Sequence, residues 1–137
     1  MGLVGIAALA AGLKVTFSDA VPLAVEVATE NAVRNGLQPD DGLVLDWHEP
    51  PSDSYPLIFA SDVLYDRDLH GPLLNTLDCV LAPDGECWIG EPGRSVADEF
   101  VTTLKQRGFS VDRYQLPRPP SARKSVIFRV VPPDLQT

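Results

Sequence analysis

Four short runs rich in apolar residues each lead into acidic or polar residues. Asp19 follows Val15-Thr16-Phe17-Ser18, and Asp46-Trp47 follows Leu43-Val44-Leu45; Ser61-Asp62 follows Leu57-Ile58-Phe59-Ala60, and Glu91 follows Cys87-Trp88-Ile89-Gly90. One Asp at such a place is ordinary, because Asp caps the turn into a helix. Four acids together point to a site, since open α/β sheets bind ligands at the carboxyl ends of their strands. An acid at the end of the second strand of a Rossmann-like unit accepts hydrogen bonds from both ribose hydroxyls of a nucleotide-type cofactor, and Asp19 fits that place. Trp47 offers a flat surface either for stacking on a base or for packing into the core. His48, His70, Cys79 and Cys87 lack metal-ligand spacing, so no metal site is expected. Neither a Gly-x-Ser-x-Gly elbow nor a phosphate-binding loop occurs.

The elements that must carry these residues alternate. Leu3 to Ala11 is apolar on all sides and reads as a buried helix stopped by Gly12. Lys14 to Ser18 reads as a strand. Pro22 opens a helix that Gly36 closes, with Leu23, Ala24, Val27, Ala28 and Asn31 on one face and Glu30 and Arg34 spaced for an i,i+4 pair. Gly42 to Leu45 is a short strand, and Leu57 to Ala60 is apolar without alternation, as in a strand covered on both faces. Leu69, Leu73, Leu74, Leu77, Val80 and Leu81 form a helical stripe; Pro83-Asp84-Gly85 reads as a turn and Cys87 to Gly90 as another buried strand. Ser95 is a candidate N-cap, with Asp98 three residues on, for a helix that stops at Gly108. Phe109 to Leu116 and Ser125 to Val131 read as strands joined by too few residues for a crossover helix, so they should pair antiparallel. This order predicts an α/β, Rossmann-like, three-layer α/β/α sandwich with a mostly parallel sheet and a C-terminal antiparallel strand pair. Residues 1–131 make the domain and 132–137 a tail.

The 137 residues, 45% hydrophobic and 22% charged, have the composition of one globular domain. A net charge of −8 argues against general nucleic-acid binding, which must neutralise phosphates. Residues 1–93 hold three basic against fifteen acidic residues, a net of −12, and residues 94–137 hold eight against four, a net of +4. Such asymmetry suits two faces of one soluble domain, or a basic rim around Arg118, Arg123 and Lys124 that recruits an acidic partner. Two cysteines fit a reduced, cytoplasmic protein. The apolar start is shorter than the ~20 residues of a bilayer span, and no basic residue precedes it as a signal peptide requires. No membrane partner is expected.

Gly2-Leu3-Val4-Gly5-Ile6-Ala7-Ala8, Val15-Thr16-Phe17-Ser18-Asp19 and Glu30-Asn31-Ala32-Val33-Arg34-Asn35-Gly36 resemble the cofactor half of S-adenosylmethionine-dependent methyltransferases of the seven-strand, class I fold. Leu45-Asp46-Trp47, Ser61-Asp62-Val63-Leu64-Tyr65 and Glu91-Pro92-Gly93-Arg94 are similar to the METTL21-type protein-lysine methyltransferases and the nicotinamide N-methyltransferase-like bacterial proteins, whose Asp-x-x-Tyr motif is matched by Asp62 and Tyr65. The resemblance implies S-adenosylmethionine as cofactor. It makes Gly2 the last glycine of the cofactor loop and Asp19 the ribose ligand, with Asp46 and Trp47 flanking the adenine and Ser61 lining the methionine end. Asp62 and Tyr65 would border the transfer site and position the accepting nitrogen, and Asp62 would help a lysine lose its proton. Relatives usually carry Gly-Ala where this chain has Ala60-Ser61. The implied acceptor is an amine of a protein or of a small molecule, protein lysine among them.

Family members carry a strand and a glycine-rich turn before the point that matches Gly2. The domain is therefore expected to lack its first strand, to have a gap in its sheet, and to bind the cofactor weakly in this form. Two alternatives are a non-catalytic relative acting as an interaction module and an NAD-linked oxidoreductase, which shares the use of Asp19. Against the latter, none of Tyr55, Tyr65 or Tyr114 has a lysine four residues on, as short-chain reductases require.

Overall fold

Apolar residues on every side of a helix leave its packing face to be chosen by its neighbours. The first helix, α1 (Leu3–Ala10), shows this: only Ala8 is buried, while Leu3 is 79% exposed. Ile6 and Leu9 pack their side chains against the small cluster of Phe17, Ala28 and Ala32. The expected buried helix is thus a surface helix with one packed edge.

The computed structural model describes residues 1–117 and 124–133, and the chain falls into two units, Met1–Glu49 and Pro50–Thr137. In the first, α1 is followed by β1 (Thr16–Asp19), α2 (Pro22–Arg34) and β2 (Asp41–Val44). Pro22 sits in the first turn of α2, where its missing N–H costs nothing. The buried face of α2 is Ala24, Val25, Ala28 and Ala32; Leu23, expected on that face, is 64% exposed. Glu30 accepts from Arg34 Nε at 3.1 Å, the i,i+4 pair the spacing predicts. Strands β1 and β2 pair parallel, with Asp19 opposite Val44.

The second unit holds β3 (Tyr55–Ser61), a 3₁₀ turn (Arg67–Leu69), α3 (His70–Val80), β4 (Leu81–Glu91), α4 (Val96–Gln106), β5 (Ser110–Gln115) and β6 (Val126–Val131). Its sheet runs β3-β4-β6-β5. Strands β3 and β4 pair parallel, whereas β4 with β6 and β5 with β6 pair antiparallel. The expectation of a mostly parallel sheet is overturned: among the described residues there are two sheets, and the larger is mostly antiparallel. The cause is β6. The short connection from β5 forces it antiparallel on one edge, and by lying between β5 and β4 it brings a second antiparallel pairing with it.

The core of this unit combines Leu73, Leu74 and Leu77 of α3, Phe100 and Leu104 of α4, and alternate residues Cys87, Ile89, Phe128 and Val130 of β4 and β6. Between these positions Trp88 stacks on Tyr114 at 5.9 Å, and Arg129 donates to Glu86 at 2.6 Å. Phe59 is also exposed, so β3 is not covered on both faces. Pro83-Asp84-Gly85 lies inside β4 as an irregularity where the register jumps from Tyr55↔Leu81 to Leu57↔Glu86. Ser95 makes no side-chain cap; its expected partner Asp98 pairs with Arg113 at 2.9 Å instead. Among the described residues no helix is long and apolar enough to cross a membrane.

Candidate functional site

In the first unit the chain leaves β1 at Asp19 and turns into α2. The backbone N–H of Val21 donates to Asp19 Oδ1 at 2.9 Å, which ties that oxygen to the turn and leaves the other for a ligand. Asp19 borders a cleft of about 130 Å³ with Met1, Gly2, Phe17, Ser18, Ala24, Val25 and Ala28. Gly2 has φ 80, and a Cβ there would lie 3.0 Å from Ala28 Cβ, so only glycine allows this close approach of backbone to helix. Asn31 Nδ2 donates to the Met1 carbonyl at 3.1 Å and fixes the approach. A neighbouring hollow of about 280 Å³ is lined by Met1, Asp19, Val21, Leu23, Ala24 and Val27. Gly2 and Asp19, both expected from the sequence, therefore share one cleft. Val21 and Leu23 were not anticipated there; the signal was two large apolar residues flanking a helix-opening proline.

Asp46 lies at the same end of the β1–β2 sheet, since the Leu45 N–H bonds to the Asp19 carbonyl at 2.9 Å. Its Oδ1 accepts from the backbone N–H of His48 at 2.9 Å and bonds to His48 Nδ1 at 2.8 Å. The backbone bond first, and then the imidazole, hold its carboxyl below the usual carboxylate range. Trp47 is half-buried, and neither it nor Asp46 lines the cleft beside Asp19.

In the second unit Ser61, Asp62 and Glu91 stand at the carboxyl ends of the parallel strands β3 and β4. Asp62 has φ 58, a left-handed backbone that costs a non-glycine residue of order 1 kcal/mol. Its N–H donates to the Gly90 carbonyl at 2.9 Å, and its Oδ1 accepts from Arg94 Nη1. That bond is the main cause that raises the Arg94 guanidinium above its ordinary range. Arg94 is gripped in turn by Glu91, whose Oε1 accepts its backbone N–H at 3.0 Å and faces Nη1 at 3.5 Å. The Glu91 side chain is 0% exposed, and its Oε2 has no hydrogen-bond partner among the described residues. Beyond Asp62, Leu64 is fully buried and its carbonyl accepts from His70 Nε2 at 3.0 Å, which turns Tyr65 outward, 62% exposed. Arg67 then pairs with both oxygens of Glu99, at 2.8 and 2.5 Å. The loop after β3 is thus held at both ends. Sequence reasoning gave roles to Ser61, Asp62 and Tyr65, counted Glu91 among the strand-end acids without giving it a role, and passed over Arg94, although both lie in the Glu91-Pro92-Gly93-Arg94 run.

An α/β domain with ligand-ready acids at strand ends is the architecture of class I S-adenosylmethionine-dependent methyltransferases, and solved structures of that class match this fold. Among them are the N-methyltransferase NodS from Bradyrhizobium japonicum WM9 in complex with S-adenosyl-L-homocysteine (TM-score 0.69, 18% identity, 88% of this chain and 67% of that one) and a ribosomal protein L11 methylase from Lactobacillus delbrueckii subsp. bulgaricus (TM-score 0.76, 19% identity, 96% and 65%). The chain belongs to the family described as Lysine methyltransferase, whose model matches residues 1–107. It is also 36% identical over 119 residues to Protein N-lysine methyltransferase METTL21A of Danio rerio, covering 80% of this chain. The chain spans about half the length of that relative, 54%.

Proposed function

We propose that this chain serves S-adenosylmethionine-dependent transfer of a methyl group to an amine nitrogen, with protein lysine as the acceptor. The observation that carries the cofactor half is the cleft of the first unit, where Gly2 admits a close approach and Asp19 keeps one carboxylate oxygen open beside it. Asp19 would accept the ribose hydroxyls, and the apolar hollow of Val21, Leu23 and Val27 suits a flat ring. The cleft alone is smaller than the ~300 Å³ or more usual for a whole small-molecule site, so it holds one part of such a ligand. Asp46 and Trp47 are proposed as neighbours of the adenine and Ser61 of the methionine end.

When bound, the cofactor supplies a methyl group on a sulfonium, an already good leaving group. The protein has then to align the amine and exclude water, and needs no nucleophile of its own. Asp62 and Tyr65 are proposed to orient that amine. Asp62 and Glu91 outnumber Arg94 in charge, which favours an amine arriving as a cation. The lysine acceptor is supported by the family and by the zebrafish relative.

Titration of S-adenosylhomocysteine into the isotope-labelled chain tests the cofactor half. Weak, saturable NMR shifts are expected at Gly2, Ser18 and Asp19, lost in D19A; their absence at millimolar ligand would sink the reading. Incubation with S-adenosylmethionine and either lysine peptides or nicotinamide tests the acceptor, read as a methyl mass increment on the peptide.

A further inference from the structure

We propose that Glu91 and Arg94 are positioning residues which fix Asp62 as a stationary hydrogen-bond acceptor for the substrate amine. The inference rests on the methyl-transfer reading of this site.

Glu91 buries its whole side chain and leaves Oε2 without a hydrogen-bond partner among the described residues. A buried carboxylate with an idle oxygen is unfavourable, and an apolar side chain would fill the same place at less cost. Packing therefore does not explain Glu91; its occupied oxygen does. Oε1 holds both the backbone N–H and the head group of Arg94, and so folds the turn after β4 over its own strand end. Gly93 locks that turn: its φ is 92, and a Cβ there would lie 2.1 Å from the Lys124 carbonyl oxygen. With Arg94 fixed, its Nη1 reaches 32 residues back in sequence to Asp62 Oδ1. Asp62 meanwhile sits in a left-handed backbone secured by its N–H to Gly90. Side chain and main chain are pinned together. With Oδ1 engaged by the guanidinium, the second oxygen can accept an amine N–H and aim the nitrogen lone pair.

The test uses the 137-residue chain with R94Q, R94K and E91Q, read by amide hydrogen exchange and by steady-state methyl transfer. R94Q should speed exchange of the Asp62 amide about tenfold while distant helices are unchanged. It should also lower kcat about tenfold with the cofactor KM unchanged. R94K should recover most of both losses, and E91Q should fall between R94Q and the parent chain. An R94Q protein with parental Asp62 exchange and parental kcat would overturn the proposal, as would R94K no better than R94Q. If E91Q does not fold, the Arg94 pair of variants decides alone. A parent chain that methylates no amine would refute the methyl-transfer reading, and the exchange measurements would still show whether Arg94 fixes Asp62.

Discussion

The two units handle their strand-end acids in opposite ways. In the first, Asp19 and Asp46 bond to residues two positions away, Val21 and His48. In the second, the strand-end Asp62 is held by Arg94 from 32 residues away in sequence, and Glu91, three residues before Arg94, grips that same arginine; within α4, Glu99 is likewise held by Arg67 from 32 residues away. The cores differ in the same sense. The first unit packs alanines and Val25 around one buried aromatic ring, Phe17, while the second buries Phe100, Phe128, Leu74, Leu104 and Ile89. Local bonds form wherever the turn forms and leave an acid adjustable, as suits a residue that closes on an incoming ligand. Long-range ion pairs require the fold to be complete, and they present an acid already in place.

The contrast is open to attack at several points, and the deepest is the core of the second unit. Phe100→Ala should cost about 3–5 kcal/mol. Each unit carries one tryptophan, Trp47 or Trp88, so single-tryptophan versions of the chain follow the units separately in urea. The Trp88 midpoint should fall steeply; a shift confined to Trp47 would contradict the division. Next is Gly5, where a Cβ would lie 2.2 Å from the Phe17 ring. Gly5→Ala gains helix propensity but overpacks the only aromatic of that core, for a net loss of about 1–2 kcal/mol. That loss should be read by Trp47, and an unchanged or stabilised chain would show the first core to be softer than described.

A smaller effect separates the ion pairs. Arg67, chiefly through its hydrogen bonds, holds Glu99 below the usual carboxylate range. A depressed folded-state value means that the pair stabilises above the ordinary carboxylate range and that this contribution disappears as the pH falls through the lowered value. Arg67→Ala should therefore lower Tm modestly at pH 7 and hardly at all in strong acid; an equal loss at both would deny the pairing. Burial pushes the Cys87 thiol up to about 12, while Cys79 is exposed. At pH 8 an alkylating reagent should modify Cys79 promptly and Cys87 only as the second unit unfolds, which mass spectrometry of the labelled chain checks. Smallest of all, His48→Ala should let the Asp46 carboxyl titrate higher in an NMR pH series without changing Tm detectably.

What could be read from the sequence follows the same line between local and distant. Pro22 and the glycine after Asn35 delimited α2, the stripe from Leu69 to Leu81 marked α3, and the short connection after Leu116 required an antiparallel pair. Each depends on neighbours in the chain. The parallel majority expected of the sheet failed because strand order depends on which edge β6 joins, and no periodicity records that. The exposure of α1 and Leu23 was hidden for a related reason: hydrophobicity shows what can be buried and leaves open where the partner lies. In the first unit, Asp19 and Gly2, picked out by their sequence motifs, line one cleft, whereas in the second the grip of Arg94 on Asp62 joins two motifs that only folding brings together.

The position of β6 between β4 and β5 also has a meaning during synthesis. As the chain leaves the ribosome, β4 is complete once residue 91 has emerged, but the edge that β6 will occupy stays open until residues 126–131 follow. Throughout that interval the strand carrying Cys87, Trp88 and Ile89 presents unpaired backbone to the cell, the kind of edge on which chains aggregate. Newly made protein, more than mature protein, is thus where this fold is vulnerable, and slower translation between residues 91 and 126 would prolong the exposure.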